Sequence, residues 1–225
     1  MMIILTDLSE VLIRGVYGIE DLVEDQYGEK IAERFARRRL ECDPFFIELM
    51  RSHLAEDQYW EIVLHGFDWP FGVEDVELMC SFNFALGLQQ SAIGVYKRIV
   101  EYPESAMMDS LRHRGCPEFW IVSDHIPERK DEIKAMHPKV FQFASRVIWS
   151  YDYGLVKSDV GFFEQLLRRN KLEYYDVLFI DDVSQNIWSA AKANIAGIKY
   201  EGPDQLETQL RSLGFRFSTT SSGAH

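Results

Sequence analysis

Cysteine is scarce in this chain: its 225 residues include three, Cys42, Cys80 and Cys116. An odd number without close metal-ligand spacing implies no disulfide framework, and reads most simply as reduced thiols in a cytoplasmic protein. Basic charge is also in short supply, with 24 Lys and Arg against 36 Asp and Glu, giving a net charge of −12 and a pI near 5.0. Nucleic acid and anionic membrane surfaces need a positive footprint, so neither is an expected partner. An anionic substrate would need positive charge supplied locally. Long apolar runs are missing too. Asp7 cuts the first run well short of a signal-peptide core, and the stretch Leu78 to Tyr96 is interrupted by Asn83, Gln89 and Gln90. No targeting signal or membrane span is expected, and no internal repeat is visible.

What the chain does have is 47% apolar residues, enough to fill one large domain with an insertion, or two small ones. Three short apolar runs stand out by what ends them. Met2-Ile3-Ile4-Leu5-Thr6 runs into Asp7, Phe119-Trp120-Ile121-Val122 into Ser123 and Asp124, and Val177-Leu178-Phe179-Ile180 into Asp181 and Asp182. Runs of this kind read as buried parallel strands, and ligands of open α/β sheets lie just beyond the carboxyl ends of such strands. With Lys157 in a loop before a helical stretch, this places an acid, a hydroxyl, a lysine and an acid pair at strand mouths. That is the inventory of metal-assisted phosphoryl transfer. Taken singly, each has an ordinary explanation: Asp7, Ser123 and the acid pair as helix caps, Lys157 as a surface lysine, His125 as a structural histidine.

The chain divides unevenly. From about Val16 to Gln90 the periodicity is helical, with Ile31, Phe35 and Leu40, then Phe45, Ile47, Leu49 and Met50, on repeating faces. From Ile93 onward helix and strand alternate. Helices are expected at Val95–Arg112, Pro127–Met136, Gly161–Leu172 and Gln185–Asn194, and strands at Phe119–Val122, Val147–Ser150, Val177–Ile180 and Ile198–Tyr200. Such alternation predicts an α/β fold, a Rossmann-like parallel sheet with helices on both faces. The expected domains are an α/β core of residues 1–15 and 91–217, an inserted all-helical cap of 16–90 over the strand mouths, and a flexible tail of 218–225.

The segment Leu5-Thr6-Asp7-Leu8-Ser9-Glu10-Val11-Leu12, the Val122-Ser123 step, Lys157, and Phe179-Ile180-Asp181-Asp182-Val183-Ser184-Gln185-Asn186 resemble the four motifs of the haloacid dehalogenase superfamily. The match is closest to its phosphatase-like branch, which holds sugar-1-phosphate phosphatases and the amino-terminal domains of epoxide hydrolases. The order differs from response-regulator receivers, whose acid pair comes first. The resemblance spans almost the whole chain and implies a hydrolase with a helical cap. In it Asp7 is the nucleophile, forming an aspartyl-phosphate. Asp7, the Ser9 carbonyl, Asp181 and Asp182 hold Mg²⁺, a hard ion that takes oxygen ligands. Asn186 orients the acid pair. Ser123 and Lys157 bind the phosphate and stabilise developing charge, with Asp124 and His125 beside them at the substrate. Arg34 and the run Arg37-Arg38-Arg39 could reach an anionic substrate from the cap, though a solvated helix face is their ordinary reading.

Two departures qualify the resemblance. Ser9 stands where most phosphatases of the superfamily carry a second aspartate, the general acid and base, whose loss costs roughly a hundredfold or more. Glu10 is adjacent, but the alternation of a continuing strand would point it elsewhere. Ser158 replaces the proline that often follows the lysine. Three readings therefore compete: a Mg²⁺-dependent phosphomonoester hydrolase acting on a small phosphorylated metabolite, a metal-free hydrolase of the 2-haloacid dehalogenase type, and a catalytically silent binding protein. An acid pair left unneutralised beside an anionic substrate argues against the second. Neither the particular substrate nor the oligomeric state is encoded in any recognisable motif.

Overall fold

The protein is represented by a computed structural model that describes residues 2–13, 18–38, 43–66, 72–81, 90–101 and 117–218. Cys42, Cys116, Arg39, Leu40, the far end of the expected Val95–Arg112 helix and the tail from 219 onward lie outside these residues. So do the side chains of Arg34, Phe35, Arg37 and Arg38.

Five strands form one parallel sheet: β1 (Ile3–Thr6), β3 (Glu118–Ser123), β4 (Arg146–Trp149), β5 (Val177–Asp181) and β6 (Ala196–Lys199), in the order β4-β3-β1-β5-β6. The central strand is β1, with Leu5 opposite Trp120 on one side and Phe179 on the other. The order reverses on either side of β1, so the crevice at the carboxyl ends of β1, β3 and β5 is the topological switch point where open α/β sheets take ligands.

Strand alternation sends successive residues to opposite faces, and both faces are buried. On one, Ile4, Ile121, Leu178 and Ile180 pack with Tyr96 of α6 (Gln90–Lys97), Ile133 of α7 (Lys130–Met136), Val140 of α8 (Pro138–Phe143) and Leu206 and Leu210 of α11 (Pro203–Ser212). On the other, Leu5, Trp120, Val122 and Phe179 meet Phe162, Phe163 and Leu166 of α9 (Phe162–Asn170) and Ala190 of α10 (Ser184–Lys192). The expected α/β fold with helices on both faces is what the chain adopts. At Gly197 a side chain would come within 3.0 Å of Ile187, so α10 approaches β6 through that glycine.

Between β1 and α6 the described elements are helices: α1 (Gly18–Tyr27), α2 (Glu29–Arg38), α3 (Pro44–Met50), α4 (Glu56–His65) and α5 (Val73–Ser81). These helices have their own core of Val23, Ile31, Leu49, Tyr59, Trp60, Val63, Leu64 and Met79. Ile31 and Leu49 lie in it as the periodicity predicts, whereas Phe45 faces solvent, 45% exposed, at the start of α3. Among the described residues, Ile126, from the loop after Ser123, joins this core from outside the helices.

The alternation beyond residue 93 is corrected in four places. The helix expected to continue from Val95 stops at Lys97, and Ile99–Glu101 becomes β2, paired antiparallel with β7 (Arg216–Phe217). Strand β6 begins at Ala196, earlier than its apolar residues suggest, and ends at Lys199. Helices α8 and α11 were not anticipated: the first is a short helix opened by Pro138, and the second buries just Leu206 and Leu210 on a polar segment. Among the described residues no helix is long and apolar enough to cross a membrane.

Candidate active site

Asp7 is fixed at its strand end because its N–H donates to Ile180 O at 2.8 Å, extending the β1–β5 ladder by one step. The chain then turns at once. Leu12 N and Ile13 N both donate to Leu8 O (2.9 and 3.0 Å), and Glu10 N donates to Ile13 O at 2.6 Å. Glu10 sits inside that turn at φ +59°, a left-handed conformation uncommon for a non-glycine residue. The alternation expected to turn Glu10 away does not apply, since the strand has ended. Its charge instead reaches Asp182. Ser9 lies half-buried in the same turn, bridged to Ile13 through the backbone.

The structure brings Asp7, Lys157 and Asp181 into direct contact. Lys157 Nζ donates to Asp7 Oδ1 at 2.5 Å and to Asp181 Oδ2 at 2.7 Å, with all three side chains at most 5% exposed. Asp181 is fully engaged: its Oδ1 accepts from Val183 N (2.8 Å) and Asn186 Nδ2 (3.1 Å), and its Oδ2 from Asn186 (3.2 Å) as well as from the lysine. Asp182 completes the group, for one carboxylate oxygen each of Asp7, Asp181 and Asp182 lie within 4.8 Å of one another.

On the other flank of β1, Ser123 is buried at the end of β3, its hydroxyl turned to Asp124 O at 3.3 Å. Asp124 Oδ1 accepts the Lys157 N–H at 2.9 Å, so the loops after β3 and β4 are tied together beside the lysine. His125 rests beside the Trp149 ring, centroids 5.5 Å apart, and its buried Nε2 finds no hydrogen-bond partner among the described residues.

Charge dominates the site. Burial works against the Lys157 ammonium, but the carboxylates of Asp181, Asp7 and Asp124 outweigh it and hold the lysine above its ordinary range. Burial pushes Asp7 well up; Asp181 and Asp182 add to the rise, and Lys157 opposes it. Asp124 is raised by burial against the pull of Lys157, and Asp182 by burial and then by Asp181. Burial, and then Arg129, push the His125 imidazole down to about 4, so it is neutral at neutral pH. Four acids around one lysine leave a surplus of negative charge that a divalent cation would offset.

Sequence reasoning missed four residues that tie this sheet end to the helices between β1 and β3. Arg129, in the one-turn helix Pro127–Arg129 that follows the Ser123 loop, donates from Nε and Nη2 to Glu56 of α4 at 2.7–3.1 Å, and to the carbonyls of Met79 and Cys80 in α5. Arg51, just past α3, clasps Asp159, two residues beyond Lys157. Neither pair has a sequence signal, since the partners lie 73 and 108 residues apart.

No protein-family model and no curated protein matches the chain by sequence. Solved structures do match. A HAD family enzyme from Bacteroides thetaiotaomicron, in a magnesium complex, aligns over 94% of this chain and 98% of its own at 13% identity, with a TM-score of 0.66. A predicted HAD-like family hydrolase from Porphyromonas gingivalis aligns over 95% and 97% at 17% identity, with a TM-score of 0.62. L-2-haloacid dehalogenase from Xanthobacter autotrophicus, with chloropropionic acid covalently bound, aligns over 94% and 83% at 15% identity, with a TM-score of 0.56. Over nearly its full length, the chain has the haloacid dehalogenase-like (HAD-like) fold.

Proposed function

We propose that the protein is a Mg²⁺-dependent phosphomonoester hydrolase of small phosphorylated metabolites, acting through an aspartyl-phosphate on Asp7. The observation that carries this reading is the acid cluster of Asp7, Asp181 and Asp182 around one buried lysine. These are hard oxygen donors with an excess of negative charge, which suits Mg²⁺. Both oxygens of Asp181 already accept hydrogen bonds, so a cation would draw chiefly on Asp7 and Asp182, with the Ser9 carbonyl from the turn. Asp181 then acts mainly as the counter-ion that holds Lys157. When bound, Mg²⁺ supplies positive charge that offsets phosphate and carboxylate repulsion and favours the developing oxyanion.

The chain's own groups do the rest. An Asp7 carboxylate oxygen attacks phosphorus, the ester oxygen leaves with the bonding electrons, and water later releases phosphate from the acyl-phosphate, regenerating Asp7. Ser123 donates its hydroxyl to a phosphate oxygen, and Lys157 holds Asp7 in place while meeting charge on the transferring group. Asp124 fixes the Lys157 backbone, and Asn186 fixes Asp181. His125, neutral, offers an uncharged donor or acceptor to the part of the substrate beyond the phosphate. Helices α1 to α5 serve as the cap that closes the site. The magnesium-bound neighbour from Bacteroides thetaiotaomicron supports this reading.

A second reading has its own support. One structural neighbour carries covalently bound chloropropionic acid. There Asp7 would attack carbon of a 2-haloacid. Screening phosphorylated metabolites and 2-haloacids, each with Mg²⁺ and with chelator, separates the two. Phosphate release confined to the Mg²⁺ arm supports the proposal, and halide release in chelator replaces it.

A further inference from the structure

Among the described residues, two ion pairs join the inserted helices to the end of the sheet that carries the proposed site. In the first, Arg129 and Glu56 are both buried, and Ile126 enters the helical core beside them. Burying Ile126 is favourable because it takes apolar surface out of water, whereas desolvation of a buried ion pair offsets much of its attraction. The isoleucine therefore fastens the Ser123 loop to the helices, and the ion pair fixes the register of that contact.

The second pair has a different character. Arg51 and Asp159 are 26% and 18% exposed, a setting in which an ion pair stabilises folding only slightly. Its geometry is nonetheless bidentate: Arg51 Nε donates to Asp159 Oδ2 at 3.0 Å and Nη2 to Oδ1 at 2.5 Å. The guanidinium is steadied from behind, since Nη1 donates to Glu48 at 2.6 Å and Glu48 also meets His53 Nδ1 at 2.9 Å. Asp159 is itself the clasp of a tight turn. Its N–H donates to Val156 O at 2.9 Å, its Oδ2 accepts from Val156 N at 2.9 Å, and its carbonyl accepts from Ser189 Oγ at 3.1 Å. Lys157 is the second residue of that turn, with its own N–H on Asp124 and its ammonium on Asp7 and Asp181.

We propose that Arg51 is a positioning residue: by clasping Asp159 it holds the Val156–Asp159 turn, and so sets Lys157 against Asp7 when the inserted helices are docked on the sheet. This makes those helices a part of the catalytic geometry as well as a cover. It rests on reading Asp7 and Lys157 as the phosphoryl-transfer pair. A contact worth little to stability can matter greatly here, because misplacing a catalytic group by about 1 Å costs roughly a hundredfold in rate.

The test compares wild type with Arg51→Met, Arg51→Lys, Asp159→Asn and the Arg51→Met/Asp159→Asn double variant. Four quantities are read: Tm, amide exchange across residues 154–160, affinity for inorganic phosphate with Mg²⁺, and kcat and KM on an aryl phosphate. Arg51→Met is expected to speed exchange at Val156 and Lys157, weaken phosphate binding about tenfold, lower kcat by about ten- to a hundredfold, and shift Tm by less than about 4 °C. Arg51→Lys recovers part of kcat, and the double variant is no worse than either single one. Unchanged exchange, or faster exchange with kcat and phosphate affinity both within twofold of wild type, overturns the proposal, as does a loss of activity that merely tracks loss of folded protein. If wild type neither hydrolyses esters nor binds phosphate, the phosphoryl-transfer reading fails instead. The exchange arm then decides alone, with unchanged protection in Arg51→Met overturning the clasp and faster exchange supporting it.

Discussion

Replacing Asp7 by Asn should abolish turnover while leaving the metal-free fold about as stable as before. At an effective dielectric of about 20, unit charges 2.5 Å apart, as for Lys157 and Asp7, attract by roughly 6–7 kcal/mol. Like charges 4.8 Å apart or closer repel by at least about 3.5 kcal/mol, and Asp7 meets two of them, from Asp181 and Asp182. Attraction and repulsion nearly cancel, and the asparagine avoids the burial of a charge that pushes Asp7 up. Removing one partner from a buried pair usually costs about 3–5 kcal/mol because the other charge is stranded. Lys157 is not stranded, since Asp181 still holds it at 2.7 Å. The expected change is therefore within about 1 kcal/mol, or ~2–4 °C in Tm for a chain of this size. Thermal unfolding in chelator, beside an activity assay in Mg²⁺, measures both. A Tm drop beyond about 10 °C would refute the charge balance, and retained turnover would remove Asp7 from the chemistry.

Lys157→Met leaves the acids without their cation, so a loss of about 3–5 kcal/mol is expected, and added Mg²⁺ should recover part of it. A melting series with and without the ion checks this. In metal-free protein, Asp182→Asn should raise Tm at neutral pH. Burial and Asp181 hold the Asp182 carboxyl above its ordinary range, so its proton-linked stability is present below the unfolded-state pKa near 4 and lost as pH rises through the folded value. The gain should therefore vanish at acidic pH; because Asp182 is partly solvated, it should be on the order of 1 kcal/mol, read from Tm against pH. With Ser9 in place of a general acid, aryl phosphates should turn over faster than alkyl ones. Ser9→Asp should raise the alkyl rate by up to about a hundredfold, while equal wild-type rates on both esters would show that another group moves the proton.

The sheet half of the molecule was legible because parallel strands buried on both faces read as unbroken apolar runs, and the proposed site lies at their ends. Asp7, Ser123 and Asp181 close β1, β3 and β5, which are neighbours in the sheet. Elements with weak apolar signals were lost. Ile99–Glu101 continues the helical spacing of Val95 and Tyr96 yet pairs with Arg216–Phe217, and α11 shows two buried leucines in a polar segment. The turn at Glu10 was not legible because it depends on hydrogen bonds among Leu8, Glu10 and Ile13 that no alternation pattern encodes. Arg51 and Arg129 carry no sequence signal of their own, and their partners become visible only when the inserted helices dock.

The central claim is that Asp7 takes a phosphoryl group with the help of Mg²⁺. Peptide mapping by mass spectrometry, after acid quench of the protein mixed with an aryl phosphate, tests it directly. Because Ser9 offers no carboxylate to activate water, the aspartyl-phosphate should be released slowly and accumulate on the Asp7 peptide in Mg²⁺, and be absent in chelator and in Asp7→Asn. Ester hydrolysis with no adduct at Asp7, or an adduct that forms equally well in chelator, would contradict the account.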